Sequence, residues 1–302
     1  IFMNWKKVLL IGGVTLLPVS MMAQANILNA KKPDEVGKKT EAQIAMDNDA
    51  PLPYGYVDDR DIMWSKTVWE LIDLDERINF PLYYPVDTIG IGSDRRSLYD
   101  VLIKNVKNGN IQDVYADAYF TDKRKFSDLQ ATLQKTDTTD RGYEQLNAGE
   151  QISPEYINHR ALTAADLKEY LIKGMWYFDK RQGELKYRLL GIAPVAPDVN
   201  FIDDESMNPE DAKVPLFWVW YPDARQVLHS AKVFNQRNTA QPLSFDMILN
   251  ARRFNATIYK EDNVQGDRQI KDYVADNALF QLLESQRIKE AIRDREQDMW
   301  SY

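Results

Sequence analysis

The octapeptide PLFWVWYP at residues 215–222 limits the fold of this chain more tightly than any other stretch. Prolines close it at both ends, and aromatic and β-branched residues fill it, which is the composition of a strand. Side chains alternate along a strand, so Trp218 and Trp220 share one face while Phe217, Val219 and Tyr221 share the other. Both sets are large and apolar. One has to enter a core, and the other meets solvent, a helix or a partner. From there to Ala256 the chain mixes Arg, Asn and apolar residues, with no thiol, no glycine-rich phosphate loop and one histidine, His229. Such a stretch suits contact better than turnover.

The first 25 residues read as a cleaved secretory signal, with Met3 as initiator. Lys6 and Lys7 supply the positive region, Val8 to Val19 the apolar run, and Ala23-Gln24-Ala25 the small-residue cleavage pattern. The run is too short to span a bilayer. The chain has no cysteine, so the signal is not a lipoprotein signal, which needs that residue for acylation. Stability has to come from burial. The formal charge is −8, which argues against nucleic acid, whose binding needs a basic footprint. The expectation is an exported soluble protein, with no membrane span, at home in a periplasm.

Residues 26–55 are polar and without periodicity, a flexible leader or an arm lying on a neighbouring subunit. Residues 56–302 then form the folded region, with candidate halves 56–150 and 160–302. Met63, Val68, Leu71 and Ile72 recur at helical spacing. Asn79 to Pro85 reads as a short strand, Ser97 to Val106 as a helix, and Asp113 to Phe120 as an aromatic strand. Thr121 to Glu150 reads as a polar loop or insertion. Thr163-Ala164-Ala165-Asp166 resembles a capping box opening a helix that ends at Gly174. Met175–Asp179 and Glu184–Ile192 form a hairpin across Lys180–Gly183. The C-terminus is a long helix from an Asp276 cap, with Leu279, Leu283, Ile288 and Ile292 along its apolar side. The expected class is α+β, with small antiparallel or mixed sheets packed against helices. Residues 80–120 and 215–262 also echo one another, as an internal strand-helix-strand duplication would, or as two ordinary amphipathic segments would by coincidence.

No catalytic constellation emerges. His159 and His229 have no second histidine at ligand spacing. Gly90-Ile91-Gly92 lacks the third glycine of a dinucleotide loop. Asp58-Asp59-Arg60-Asp61 and Asp203-Asp204-Glu205 lack the spacing and central glycine of an EF-hand. Carboxylate pairs and surplus aromatics leave room for glycan or peptidoglycan binding, or a cryptic glycosidase, as the alternative function.

Four blocks carry a resemblance: WELIDLDERINFPLYYP at 69–85, GMWYFDKRQGELKYRLLGIAPVAPD at 174–198, the opening stretch, and IYKEDNVQGDRQIKDYVADNALFQLLESQRIKEAIRDREQDMWSY at 258–302. Together they are similar to the GldN/PorN family. The resemblance implies a non-enzymatic periplasmic component of the Bacteroidetes type IX secretion system, required also for motility in gliding species, with no cofactor and no metal. It implies a ring of many copies at the inner face of the outer membrane. The partners it implies are an outer-membrane lipoprotein of the GldK/PorK family and the periplasmic region of a GldM/PorM-like protein. Closed rings need head-to-tail contacts. Trp218, Trp220, Arg252, Arg253, Met299, Trp300 and Tyr302 are the candidate contact residues, because Trp, Tyr and Arg dominate interface hot spots.

Overall fold

The computed structural model describes residues 32, 41–46, 48–89, 95–151, 153–200, 213–235, 238, 243–275 and 277–300. Two compact units divide the chain, Ile1–Ala50 and Pro51–Tyr302. The first contributes one short described helix, α1 (Glu41–Met46). Among the described residues no helix is long and apolar enough to cross a membrane.

The second unit is organised by one long antiparallel hairpin and the strand beside it. β1 (Ile62–Asp73), β6 (Glu169–Asp179) and β7 (Glu184–Pro197) pair along nearly their whole length. Shorter strands complete the eight-stranded sheet: β2 (Val114–Tyr115), β3 (Lys123–Arg124), β8 (Lys213–Pro215), β9 (Trp218–Trp220) and β12 (Thr257–Glu261). The order is β12-β1-β6-β7-β9-β2-β3, with β8 also on β7, so strands from early and late in the chain interleave. A separate ribbon pairs β4 (Gln134–Thr138) with β5 (Ile157–Ala161), and a second pairs β10 (Lys232–Val233) with β11 (Leu243–Ser244). The fold is α+β and closes on a C-terminal helix.

Helices cover one face of the sheet. α3 (Leu98–Lys107) starts at Ser97, whose hydroxyl accepts the Asp100 N–H. It buries Leu98, Val101, Leu102 and Val106 at the i, i+3, i+4 spacing of an amphipathic helix. α6 (Tyr221–Ser230) and α7 (Phe245–Asn250) pack beside it on Phe217, Val219, Ile192 and Ile172. The two helices are joined by a buried polar knot. Asp246 accepts from Tyr221 Oη (2.7 Å), Arg225 Nε (2.9 Å) and Asn250 Nδ2 (2.8 Å). Arg225 also donates to the Leu52 carbonyl, tying the start of this unit to its centre.

Several sequence expectations are corrected. Residues 62–73 are a strand, not a helix. Val68 and Ile72, four apart, satisfy both periods, and the burial of Val68, Glu70 and Ile72 on one side shows which one operates. Asn79–Pro85 is not a strand but a 3₁₀ turn (Arg77–Asn79) running into α2 (Phe80–Tyr83), where Pro81 occupies a first-turn position that needs no N–H donor. That removes the leading strand of the proposed duplication. The two helix–strand pairs it compared also end at opposite sides of the sheet, on β2 and β12. The Asp113–Phe120 strand stops after Tyr115, because the Asp117 carboxylate accepts the N–H groups of Tyr119, Thr121 and Asp122 and turns the chain.

Residues 121–150 are not a loop; they hold α4 (Phe126–Leu133), β4 and α5 (Asp140–Asn147). The Thr163 capping box exists, but it serves a single 3₁₀ turn (Ala164–Asp166) before β6 begins. Gly174 is therefore mid-strand rather than a helix cap. The Tyr187 ring lies across it, and a Cβ there would sit 2.0 Å from the Tyr187 hydroxyl. The PLFWVWYP stretch is split as well: β8 and β9 flank a break at Leu216–Phe217, and α6 begins at Tyr221 with Pro222 in its first turn.

Candidate assembly surface

The last helix, α9 (Ala278–Trp300), follows the short α8 (Ile270–Tyr273) and does two jobs, one in its middle and one at its start. Asn277 caps it, its side-chain oxygen accepting the Phe280 N–H at 3.1 Å; Asp276, the expected cap, lies outside the described residues. Further along, Ser285, Ile288 and Ile292 are buried against Val68, Ile258 and Ile270. There the helix seals the side of β12. The Ser285 hydroxyl accepts the Ile258 N–H at 2.9 Å, and the Lys289 ammonium donates to the Ala256 carbonyl. Backbone groups that would otherwise be orphaned at the end of the sheet are thus satisfied. Burial holds the Lys289 ammonium below its usual range.

Its first two turns behave differently. Leu279, Phe280, Leu282 and Leu283 are each more than half exposed. Leu279 and Leu283 are therefore not on the buried side as the periodicity suggested. The buried line runs instead through Ser285, Ile288 and Ile292, and Ser285 goes unnoticed in any apolar count. A cavity of about 410 Å³ lies alongside, lined by Leu282, Ala278, Ile270, Ile258 and Leu71 among others. Clustered exposed apolar side chains bordering a groove mark a contact surface.

The residues singled out from sequence are scattered. Trp218 is only 2 % exposed and Trp220 is half-buried; both sit on the sheet face opposite the helices, under the Phe120 ring, which is 6.3 Å from Trp218 and 4.8 Å from Trp220. Phe217, Val219 and Tyr221 fill the helix-side core, so alternation sorts the two sets as expected, but Trp218 is not an outward side chain. Arg252 is likewise an internal residue. It forms a bidentate pair with Glu70, itself 1 % exposed, at 2.8 Å on each arm, and stacks on the Tyr187 ring at 4.1 Å. Burial opposes the charge on Arg252, yet the bonds to Glu70 outweigh it and raise its pKa. Arg253 is exposed and Met299 half-buried. Trp300 ends α9; its side chain, and Tyr302, lie outside the described residues, as do Gly90-Ile91-Gly92, Asp203-Asp204-Glu205 and the signal segment.

The face of the sheet opposite the helices carries a cluster not anticipated from sequence. A bulge opposite Trp69 and Glu70 puts Tyr259 and Lys260 on the same side of β12. Lys260 lies over the Trp69 ring at 4.3 Å and Lys173, from β6, over the same ring at 5.0 Å. Lys260 donates to Tyr119 Oη (2.7 Å), which donates to Asp267 (2.8 Å). Burial lowers the pKa of both lysines, and the neighbouring Lys260 lowers that of Lys173 further. Burial and Asp267 push the Tyr119 phenol up to about 12.

No group of three or more His, Cys, Asp and Glu among the described residues could hold a metal ion. His159 lies exposed on β5, bonded to Thr136 Oγ1, and His229 is buried in α6. The molecule is thus an α+β protein whose distinctive features are an apolar helix end and a decorated sheet face. A comparison with curated proteins gives no match. The family model described as "Gliding motility associated protein GldN" matches residues 57–301, and the chain belongs to the GldN family.

Proposed function

We propose that this protein is a non-enzymatic structural subunit of a periplasmic ring at the inner face of the outer membrane, serving type IX secretion and, in gliding species, motility. In this reading a lipoprotein of the GldK/PorK family holds it at the membrane. The periplasmic region of a GldM/PorM-like protein meets the ring, and copies of the chain close it head to tail. Membership of a family associated with gliding motility supports the setting. The observation that carries the assembly role is the row Leu279, Phe280, Leu282 and Leu283, exposed beside a groove on a helix whose middle is firmly packed. Exposed aromatic and leucine side chains on a rigid element suit a contact core.

The test is co-expression of the full chain with the lipoprotein, followed by electron microscopy and mass photometry. The wild type is expected to yield large closed particles. Phe280→Ser with Leu282→Ser, at exposed positions, is expected to yield small species of unchanged helicity. Large particles from the variant would remove α9 from the contact, and a wild type that stays monomeric beside the lipoprotein would overturn the ring reading itself.

A further inference from the structure

Across the sheet face away from the helices runs a trough of about 480 Å³, floored by Leu171 and Tyr259, with Val195 and Trp218 almost wholly buried beneath it, and edged by Lys260 and Lys271. Its ion pairs leave two lysines over. Lys213, also on its rim, is neutralised by Glu169 at 2.6 Å, and Asp117 spends its oxygens on the backbone of its own turn. Lys260, its neighbour Lys173 and Lys271 form no ion pair among the described residues. Lys173 and Lys260 share one tryptophan ring; burial disfavours the charge of each, and Asp267, bonded to Tyr119 beside Lys260, offsets only part of that cost. Something anionic bound there would relieve it.

We propose that this trough binds an acidic, extended peptide segment of a partner protein, with carboxylates on Lys260 and Lys271 and apolar side chains against Leu171 and Tyr259. The apolar floor and the length of the trough, which crosses from β9 to β12, exceed what an inorganic anion needs. A sugar chain fits less well. Of the polar side chains that line it, Glu169 and Asp117 are already engaged, leaving Gln269 and the lysines to meet many hydroxyls. The inference stands apart from the ring assignment, because it concerns a different face of the molecule and needs no second copy.

The experiment uses the full chain and a short fluorescein-labelled peptide of alternating leucine and glutamate, beside its leucine–glutamine counterpart, read by fluorescence anisotropy. At low salt the glutamate peptide is expected to bind about tenfold more tightly, the equivalent of one good charge contact, and the difference to shrink as salt is raised. Lys271→Gln, at an exposed position, is expected to weaken the glutamate peptide several-fold, and Lys260→Met with Lys271→Gln to erase the difference. Equal binding of the two peptides, or an unchanged preference in the double variant, overturns the proposal. So does binding of soluble peptidoglycan fragments that the glutamate peptide fails to displace and that the same variants lose.

Discussion

Replacing Arg252 by methionine isolates the cost of leaving a buried carboxylate without its cation. Glu70 is 1 % exposed, and both its oxygens are held by the Arg252 guanidinium, with the Tyr187 hydroxyl adding a bond at 3.2 Å. Arg252→Met leaves that carboxylate buried with one neutral donor. Breaking a buried pair from one side costs about 3–5 kcal/mol. The lower end applies here, because Arg252 retains 24 % of its side-chain exposure and Lys289 lies near enough to feel the Glu70 charge. The expected loss is therefore about 3 kcal/mol, or about 6–12 °C in Tm for a unit of this size. Methionine keeps the aliphatic contact with Tyr187, and it meets the same left-handed backbone at this position, φ 49°, so the strain is common to both proteins. Urea unfolding followed by tryptophan fluorescence measures the loss. The double variant Glu70→Met, Arg252→Met removes both charges and is expected to recover to within about 1 kcal/mol of wild type. A single variant that loses less than about 1 kcal/mol, or a double variant no better than the single, would refute the argument that the pair's value lies in mutual compensation.

Two further outcomes follow from the same structure. Ser285→Ala strips the Ile258 N–H of its acceptor inside the core and is expected to cost about 1–3 kcal/mol; hydrogen exchange at the Ile258 amide should rise far more than at the amides of β6. Lys173→Met is expected to stabilise the fold, increasingly so as pH falls below 10.5. The folded-state pKa of Lys173 lies below its ordinary value of 10.5, so between the two the unfolded chain binds more protons and stability rises with pH. Urea midpoints across that alkaline window should lose this slope in the variant, and an unchanged slope would show that Lys173 is not the source.

What could be read in the sequence was whatever a short window decides. The Ser97 cap with its apolar i, i+3, i+4 stripe, the β6–β7 hairpin and the long final helix all satisfy local rules, and the structure has all three. Windows that satisfy two rules were misread. Val68 and Ile72 fit a helix or a strand, and only the flanking partners, long β6 and short β12, choose the strand. Pro81 fits a strand boundary or a first helical turn. The contact surface was harder still. Arg252 looked like an outward cation because its partner, Glu70, is 182 residues away in sequence. Leu279 and Leu283 looked like core because periodicity reports a face and not what lies against it; a serine, Ser285, marks the buried side. The lysine pair over Trp69 depends on a bulge that shifts Lys260 onto the ring, and no local pattern announces it.

The way α9 closes the end of the sheet has a consequence for how copies of this chain can join. A sheet grows by adding strands wherever unpaired backbone is open to an incoming chain. On the β12 side Ser285 and Lys289 occupy those groups. On the far side β3 offers only two exposed cationic residues, Lys123 and Arg124, and β8 ends in Pro215. Strand-by-strand extension is disfavoured at each of these places. In a ring of the kind proposed, copies joined at the eight-stranded sheet would then meet through side chains on helices and sheet faces rather than through shared strands. Contacts of that kind fix an angle between neighbours and let an array curve shut instead of running on as a fibre.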